Sequence, residues 1–281
     1  HAWQWQDQPV INTRLFGPDG MRGPGARLGW KLPTPWTSEL HMGVQNANGE
    51  TMASFLAGEE FFEERPIGGR PFVERDVRGL KDLVYLARWN NSWNVSDEIS
   101  TKFGMSALFG PNATGADGRT LIYGADFLFK WRPTEHAHGW PFVTFQSEIM
   151  RRHYTADSFS DDESGVELAG VTLRDWGMYA QALYGFRKKM SAGVRFEYAT
   201  GSGRGLAGNL EDGFESISRS GDPFRNDRMR ISPMFAWHPS EFSRIRLQYN
   251  FDRADHLMNE EAHSIWLGIE FMFGAHAEHD H

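Results

Sequence analysis

The sequence predicts an all-β chain folded as a transmembrane antiparallel up-and-down β-barrel, about 12 strands when complete. Three observations predict it. The first is the run His263 to Phe273, HSIWLGIEFMF, which sets Ile265, Leu267, Ile269, Phe271 and Phe273 on one face and Ser264, Trp266, Gly268, Glu270 and Met272 on the other. A period of two over about 9–11 residues crosses a bilayer as a tilted strand, lipid on one side and a polar interior on the other. The second is the recurrence of this pattern upstream. The third is a regular alternation of short and long links between the alternating segments.

The elements follow in order, with boundaries good to a few residues. A first strand spans about Ala26 to Leu32, with Leu28 and Trp30 opposite Arg27 and Lys31. After Pro33 and Pro35, a second runs from about Trp36 to Asn46, placing Leu40, Met42 and Val44 opposite Glu39, His41 and Gln45. Residues 47–81 are rich in Gly, Pro and charge and predict a long loop. Two strands follow closely, at about Asp82 to Asn91 and Val95 to Phe109. GPNATGADG (Gly110 to Gly118) is a turn signal.

A strand at about Thr120 to Trp131 and another at Phe142 to Tyr154 come next, before a polar loop at 155–174. Two strands joined by Arg187, Lys188 and Lys189 occupy about Trp176 to Phe186 and Met190 to Ala199. A Gly/Ser-rich loop at 200–227 precedes the last three, at about Arg228 to Trp237, Ile245 to Phe251 and His263 to Phe273. With Phe273 at the periplasmic end, every long loop falls outside and every short turn inside, as outer-membrane barrels require. The first strand then runs downward, and bacterial barrels close with an even strand count, so at least one upward strand is missing or hidden before Ala26, as in a fragment whose N-terminal strands were lost. Trp3 to Phe16 alternates poorly. The organisation expected is a loop or incomplete strand region at 1–25, the barrel at 26–273, and a His-rich polar tail at 274–281.

Composition sets the bounds. Aromatics are 14% of residues, including 11 Trp and 21 Phe, which suits girdles at two membrane interfaces. Mean hydropathy is −0.53, because alternating strands average to a hydrophilic score. No run of about 18 apolar residues exists, so a transmembrane helix is excluded. Cys is absent, which is compatible with an oxidising compartment. A net charge of −8 lacks the basic patch of a nucleic-acid binder. The chain opens on His1 rather than Met, which predicts a processed or truncated N-terminus.

WHPSEFSRIRLQYNFDRADHL (Trp237 to Leu257) and HSIWLGIEFMFGAH (His263 to His276) resemble a family of Gram-negative outer-membrane β-barrel proteins. These are porin-like and often labelled TonB-dependent or zinc-regulated outer-membrane receptors. PVINTRLFGPDGMRGPGARLGW (Pro9 to Trp30) is similar to the middle of the same family, so the chain looks like a C-terminal fragment. The resemblance implies an outer-membrane barrel for passive or receptor-like uptake. It names no solute. The chain shows no plug domain or energy-coupling box, so TonB coupling needs a missing N-terminus to supply it.

Charges of both signs gather on the faces predicted to be inward. The lumen-lining candidates are Glu39, Arg88, Lys102, Asp126, Lys130, Glu148, Arg152, Arg195, Glu197, Arg230, Arg246 and Glu270, with Arg27, Lys31 and Arg228 beside them. On the lipid face an Arg or Lys at midplane costs about 2–4 kcal/mol, which is what assigns the faces. Such a lining serves either a solute-selecting pore or a salt-bridged, closed interior, and about twelve strands sit between the filled and the open cases.

His276, His279 and His281 in the tail are metal-ligand types, as are His136 and His138 beside Glu135 in one turn. A tail fixes no coordination geometry, and a solvated terminus is the more ordinary reading. Trp36, Trp89, Trp93, Trp131, Trp140, Trp176 and Trp237 fall near strand ends, as belt anchors do. His263 and Ser264 are adjacent, but no nucleophile motif, P-loop or dinucleotide fingerprint stands out, and GSGRGLAG (Gly201 to Gly208) precedes no helix. The expectation is a porin-like or receptor-like channel in the cell outer membrane for small solutes, metals among the options. No enzymatic activity and no cofactor are expected, and the partners are outer-membrane lipids and an unknown small solute, not nucleic acid. The alternatives are a barrel hydrolase of lipid or peptide, and a soluble β-barrel binder.

Overall fold

The computed structural model describes residues 4–59, 66–135, 140–162, 165–203, 222–240 and 242–272. Eleven strands form one antiparallel sheet in which each strand pairs with its neighbour in the chain. They are β1 (Gly25–Lys31), β2 (Thr37–Asn46), β3 (Leu83–Asn94), β4 (Ile99–Pro111), β5 (Arg119–Trp131), β6 (Phe142–Ala156), β9 (Val171–Arg187), β10 (Met190–Ser202), β11 (Arg228–Ser240), β12 (Ser243–Ala254) and β13 (Glu261–Phe271). β7 (Phe159–Asp161) and β8 (Val166–Leu168) make a small hairpin in the loop after β6. All eleven predicted strands are present, most of them longer than the sequence reading, while the hairpin is an addition to it. The sheet stays open, with β1 and β13 as its two edges. There Leu28 (78% exposed) and Ile265 (76%) lack the cover that interior strands give each other.

Period two sorts the side chains, because successive Cβ atoms in a strand point to opposite faces. The outer face carries Met105, Phe109, Leu121, Tyr123, Phe127, Ile149, Val194, Phe196, Phe235 and Leu247, all exposed. Its basic residues lie towards strand ends, such as Arg151, whose register places it between Tyr123 and Trp176. Tyr123 stacks on His153, Trp176 meets Tyr198, and Tyr249 stacks on His263 at that level. At the opposite ends Trp36 lies against Trp93, and the indoles of Trp36 and Trp89 donate to Asn91 and Ser38. Two aromatic rims thus bracket an apolar band.

The short links (32–36, 95–98, 188–189, 241–242) gather at one end of the strands, the turn end. The long ones (47–82, 157–170, 203–227) gather at the other, the loop end, where the short links 112–118 and 255–260 also lie, so not every short turn falls at the turn end as the sequence predicted. β1 descends from the loop end, and among the described residues no upward strand precedes it. The stretch from Gln4 to Phe16 adds no strand. It crosses the inner face of the sheet as an extended strap and then a short helix, α1 (Val10–Phe16). Gln4 and Trp5 sit by Arg246 near the turn end, and Arg14 by Arg225 near the loop end.

The core lies on this inner face. Val10, Ile11 and Leu15 pack with Met52, Phe55 and Leu56 against Val84, Leu108, Ile122 and Met150. Residues 47–57 therefore fold inward, where the sequence predicted only an external loop. Their apolar residues find cover there that water does not offer, each large side chain gaining about 1.5–3 kcal/mol. Trp5 forms a second cluster with Leu183, Met234 and Ala236 nearer the turn end.

Candidate functional site

The candidate site is the inner face and the strap across it. Register aligns a row of ionisable and polar side chains across six strands. Asp126 of β5 pairs with Glu148 of β6, then Tyr179 of β9, Glu197 of β10, Arg230 of β11 and Asp252 of β12. All six lie on one side because directly opposed residues share a face.

Arg88 joins this row from β3. Its NH1 lies 2.8 Å from Asp126 Oδ2, reaching across β4 above Gly104. A Cβ at Gly104 would stand 2.5 Å from Asp126 Oδ2 and 2.6 Å from Arg88 NH2, so the glycine makes room for the ion pair. Glu148 stands opposite Tyr179 in the β6–β9 register. Gln146 donates to Tyr179 at 3.0 Å and accepts from Gln181 at 3.0 Å.

The strap meets the row at several points. Asp7 receives four donors. Arg195 NH2 (2.6 Å) and Gln248 Nε2 (2.7 Å) reach Oδ1, while Arg230 NH1 (2.6 Å) and Asn250 Nδ2 (3.1 Å) reach Oδ2. The Val10 backbone N–H donates to Glu197 at 2.5 Å. The Trp5 ring lies under the Arg195 guanidinium, 5.5 Å from its centroid, and its indole N–H donates to the Ser232 carbonyl at 2.9 Å. Gln6 settles on Gly268 of β13, where a Cβ would come within 2.4 Å of its amide oxygen. Beside the strap opens a cleft of about 440 Å³, bordered by Asp7, Arg228, Arg230, Asn250, Ser264 and Trp266.

Towards the loop end a buried triad ties loops to sheet. Arg152 donates to Asp175 through Nε (2.9 Å) and NH2 (2.7 Å), Arg225 donates to the other oxygen of Asp175 (2.8 Å), and Arg152 NH1 holds Ser54 (2.9 Å). In the loop before β3, Arg75 donates to Asp82 at 2.7 Å. That hydrogen bond, opposed by burial and helped by the Arg78 backbone N–H, holds the Asp82 carboxyl below its ordinary 3.8.

The structure places the sequence-predicted candidates as follows. Arg88, Asp126, Glu148, Glu197 and Arg230 fall in or beside the row, with Arg195 flanking it. Arg246 and Arg244 share Glu270. Arg152 belongs to the triad at the loop end. Lys102 and Lys130 lie on the same face, one strand apart, towards the turn end. Glu39 contacts His41 on β2, one strand in from the sheet's edge, 3.3 Å away. Arg27 and Lys31 of β1 are exposed.

Asp7, Asp175, Asp252 and Arg225 went unread. Asp252 continues the alternation of Arg246, Gln248 and Asn250 one step past the expected end of β12. Asp7 carries no local signal.

His263 points outward, with Nδ1 2.6 Å from the Tyr249 hydroxyl, while Ser264 points inward to Trp266, so these two neighbours form no dyad. His136, His138, His276, His279 and His281 lie outside the described residues, and among the described residues no group of three or more His, Asp or Glu could hold a metal ion.

No family model matches the chain. An uncharacterised protein of Aquifex aeolicus (strain VF5) is 24% identical over 296 residues, a match covering 99% of this chain and 55% of that protein. The chain therefore spans about half the length of that relative. Among solved structures, the porin NanC is similar with a TM-score of 0.34 and 10% identity, covering 89% of this chain and 93% of its own. The Pseudomonas putida toluene transporter TodX gives a TM-score of 0.34 and 9% identity, covering 89% and 73%.

Proposed function

We propose that the chain forms a porin-like, solute-conducting barrel of the Gram-negative outer membrane, with an interior narrowed by its own strap. The observation that carries this reading is the separation of the two faces. Outward side chains between the aromatic rims are apolar and exposed, whereas ion pairs collect inside. A soluble chain rarely exposes so much contiguous apolar surface, and lipid is the solvent that favours it.

The height of the band agrees. Tyr123 and Trp131 stand eight residues apart on β5, about 26 Å along a strand and about 20 Å of depth at a tilt near 40°. The loop end faces outward and the turn end the periplasm. The charged row and the lysines below it give small solutes a polar lining. Recognition there rests on charge and width rather than on catalysis.

Refolded in detergent and inserted into planar bilayers, the full chain should conduct weakly, and a variant lacking Gln4–Phe16 should show larger steps. Mobility on mild SDS gels should shift on heating. Absence of current in both chains, or gel mobility indifferent to heat, overturns the reading.

A further inference from the structure

We infer that the inner face of β10–β12 is a binding site for small organic carboxylates, and that Asp7 fills it as a built-in substitute. Three observations meet there. Four donors from three different strands converge on the two oxygens of one carboxylate, a full set for that group. The carboxylate belongs to a strap that adds no strand to the sheet, so it can leave without breaking the ladder. Finally, the adjoining cleft of about 440 Å³ reaches both Asp7 and Arg230, and that volume lies within the range of small-ligand sites.

Charge points the same way. Arg195, Arg228 and Arg230 face Glu197 and Asp252 from the strands, three positive charges against two negative. Asp7 brings the third negative charge. Arg195 is only 1% exposed. A buried guanidinium that loses its anion is costly until another replaces it, so the vacated cradle takes up a carboxylate rather than water. Trp266 and Ser264 at the cleft wall offer an indole face and a hydroxyl to the rest of the solute. The assignment deepens the channel reading by naming its class of solute, yet the cradle itself is tested without a current.

The test uses the full chain in detergent with sodium acetate as probe, whose carboxylate stands in for the one removed in Asp7→Ala. Acetate should raise the thermal midpoint of Asp7→Ala saturably above sodium chloride at equal ionic strength. It should do little for Asp7→Asn, whose amide still fills the space. The effect should vanish in Asp7→Ala/Arg230→Gln. Equal midpoints of Asp7→Ala in the two salts overturn the proposal.

A second measurement stands if Asp7→Ala does not refold. The chain has no cysteine, so Gln8→Cys puts a single thiol beside the cradle. Acetate should accelerate its maleimide labelling over chloride, and Arg230→Gln should raise the rate about tenfold in either salt, the worth of one charge-assisted hydrogen bond. Labelling indifferent to acetate overturns the proposal. Acetate rescue without bilayer current keeps the cradle and removes the channel. Current without rescue does the reverse.

Discussion

Leu247→Arg separates lipid from water as the solvent of the outer face. Leu247 of β12 is 51% exposed and pairs with Leu267 and Phe235. In water, a surface change of this kind costs within about 0.5 kcal/mol, plus about 0.2–1 kcal/mol for altered cross-strand pairs. In a bilayer the position decides. Leu247 stands four residues from Ser243 and seven from Ala254, about 10 Å and about 18 Å of depth at about 2.5 Å per tilted residue. That is well inside the apolar band, where Arg costs about 2–4 kcal/mol. Ile245→Arg moves the charge about 5 Å towards the turn end, where the cost falls towards about 1 kcal/mol. Denaturant unfolding from lipid vesicles, followed by the heat-modifiable gel shift, should rank Leu247→Arg well below Ile245→Arg and both below the parent. Equal stabilities for the two variants would refute lipid contact at this face.

Asp175→Asn should leave Arg152 and Arg225 buried without their shared carboxylate, at a cost of about 3–5 kcal/mol. Limited proteolysis should then cut within 47–59 and 222–226 while the sheet resists, and an unchanged cleavage pattern counts against the triad as a loop anchor. Asp82 ionises below 3.8 in the folded chain. Its hold on Arg75 and the Arg78 amide is therefore complete above about pH 3.8 and lost as the pH falls through the folded value. Amide exchange at Arg78, corrected for intrinsic rate, should speed up on that acidic side, and pH-independent protection disproves the link. Gly104→Ala should force Arg88 and Asp126 apart. Both are part-exposed, so the cost stays at about 0.2–1 kcal/mol. A double-mutant cycle of Arg88 with Asp126 should show coupling in the parent and none in the Gly104→Ala background.

Strand number and facing were legible because they follow from a local rule. Alternation at Leu121, Tyr123, Ala125, Phe127 and Phe129 against Asp126 and Lys130 needs no knowledge of the rest of the chain, and β5 forms with those faces. The same rule put Glu148, Arg195, Glu197 and Arg230 on one side. It failed wherever the deciding contact was distant or aperiodic. The inward fold of Met52, Phe55 and Leu56 depends on an apolar patch contributed by several strands. Trp3 to Phe16 alternates poorly, and its described part, Gln4 to Phe16, docks as a strap rather than a strand.

The sequence by itself determined which side of each strand is apolar and which carries charge, since a pleat repeats every two residues whatever surrounds it. What occupies the interior was decided only when the sheet brought together residues far apart in the chain. Asp7 finds Arg195, Arg230 and Asn250 across 188, 223 and 243 positions. Pairing over such spans leaves no repeat to read, and it exists only once the register between neighbouring strands has set donors from three strands within reach of one carboxylate.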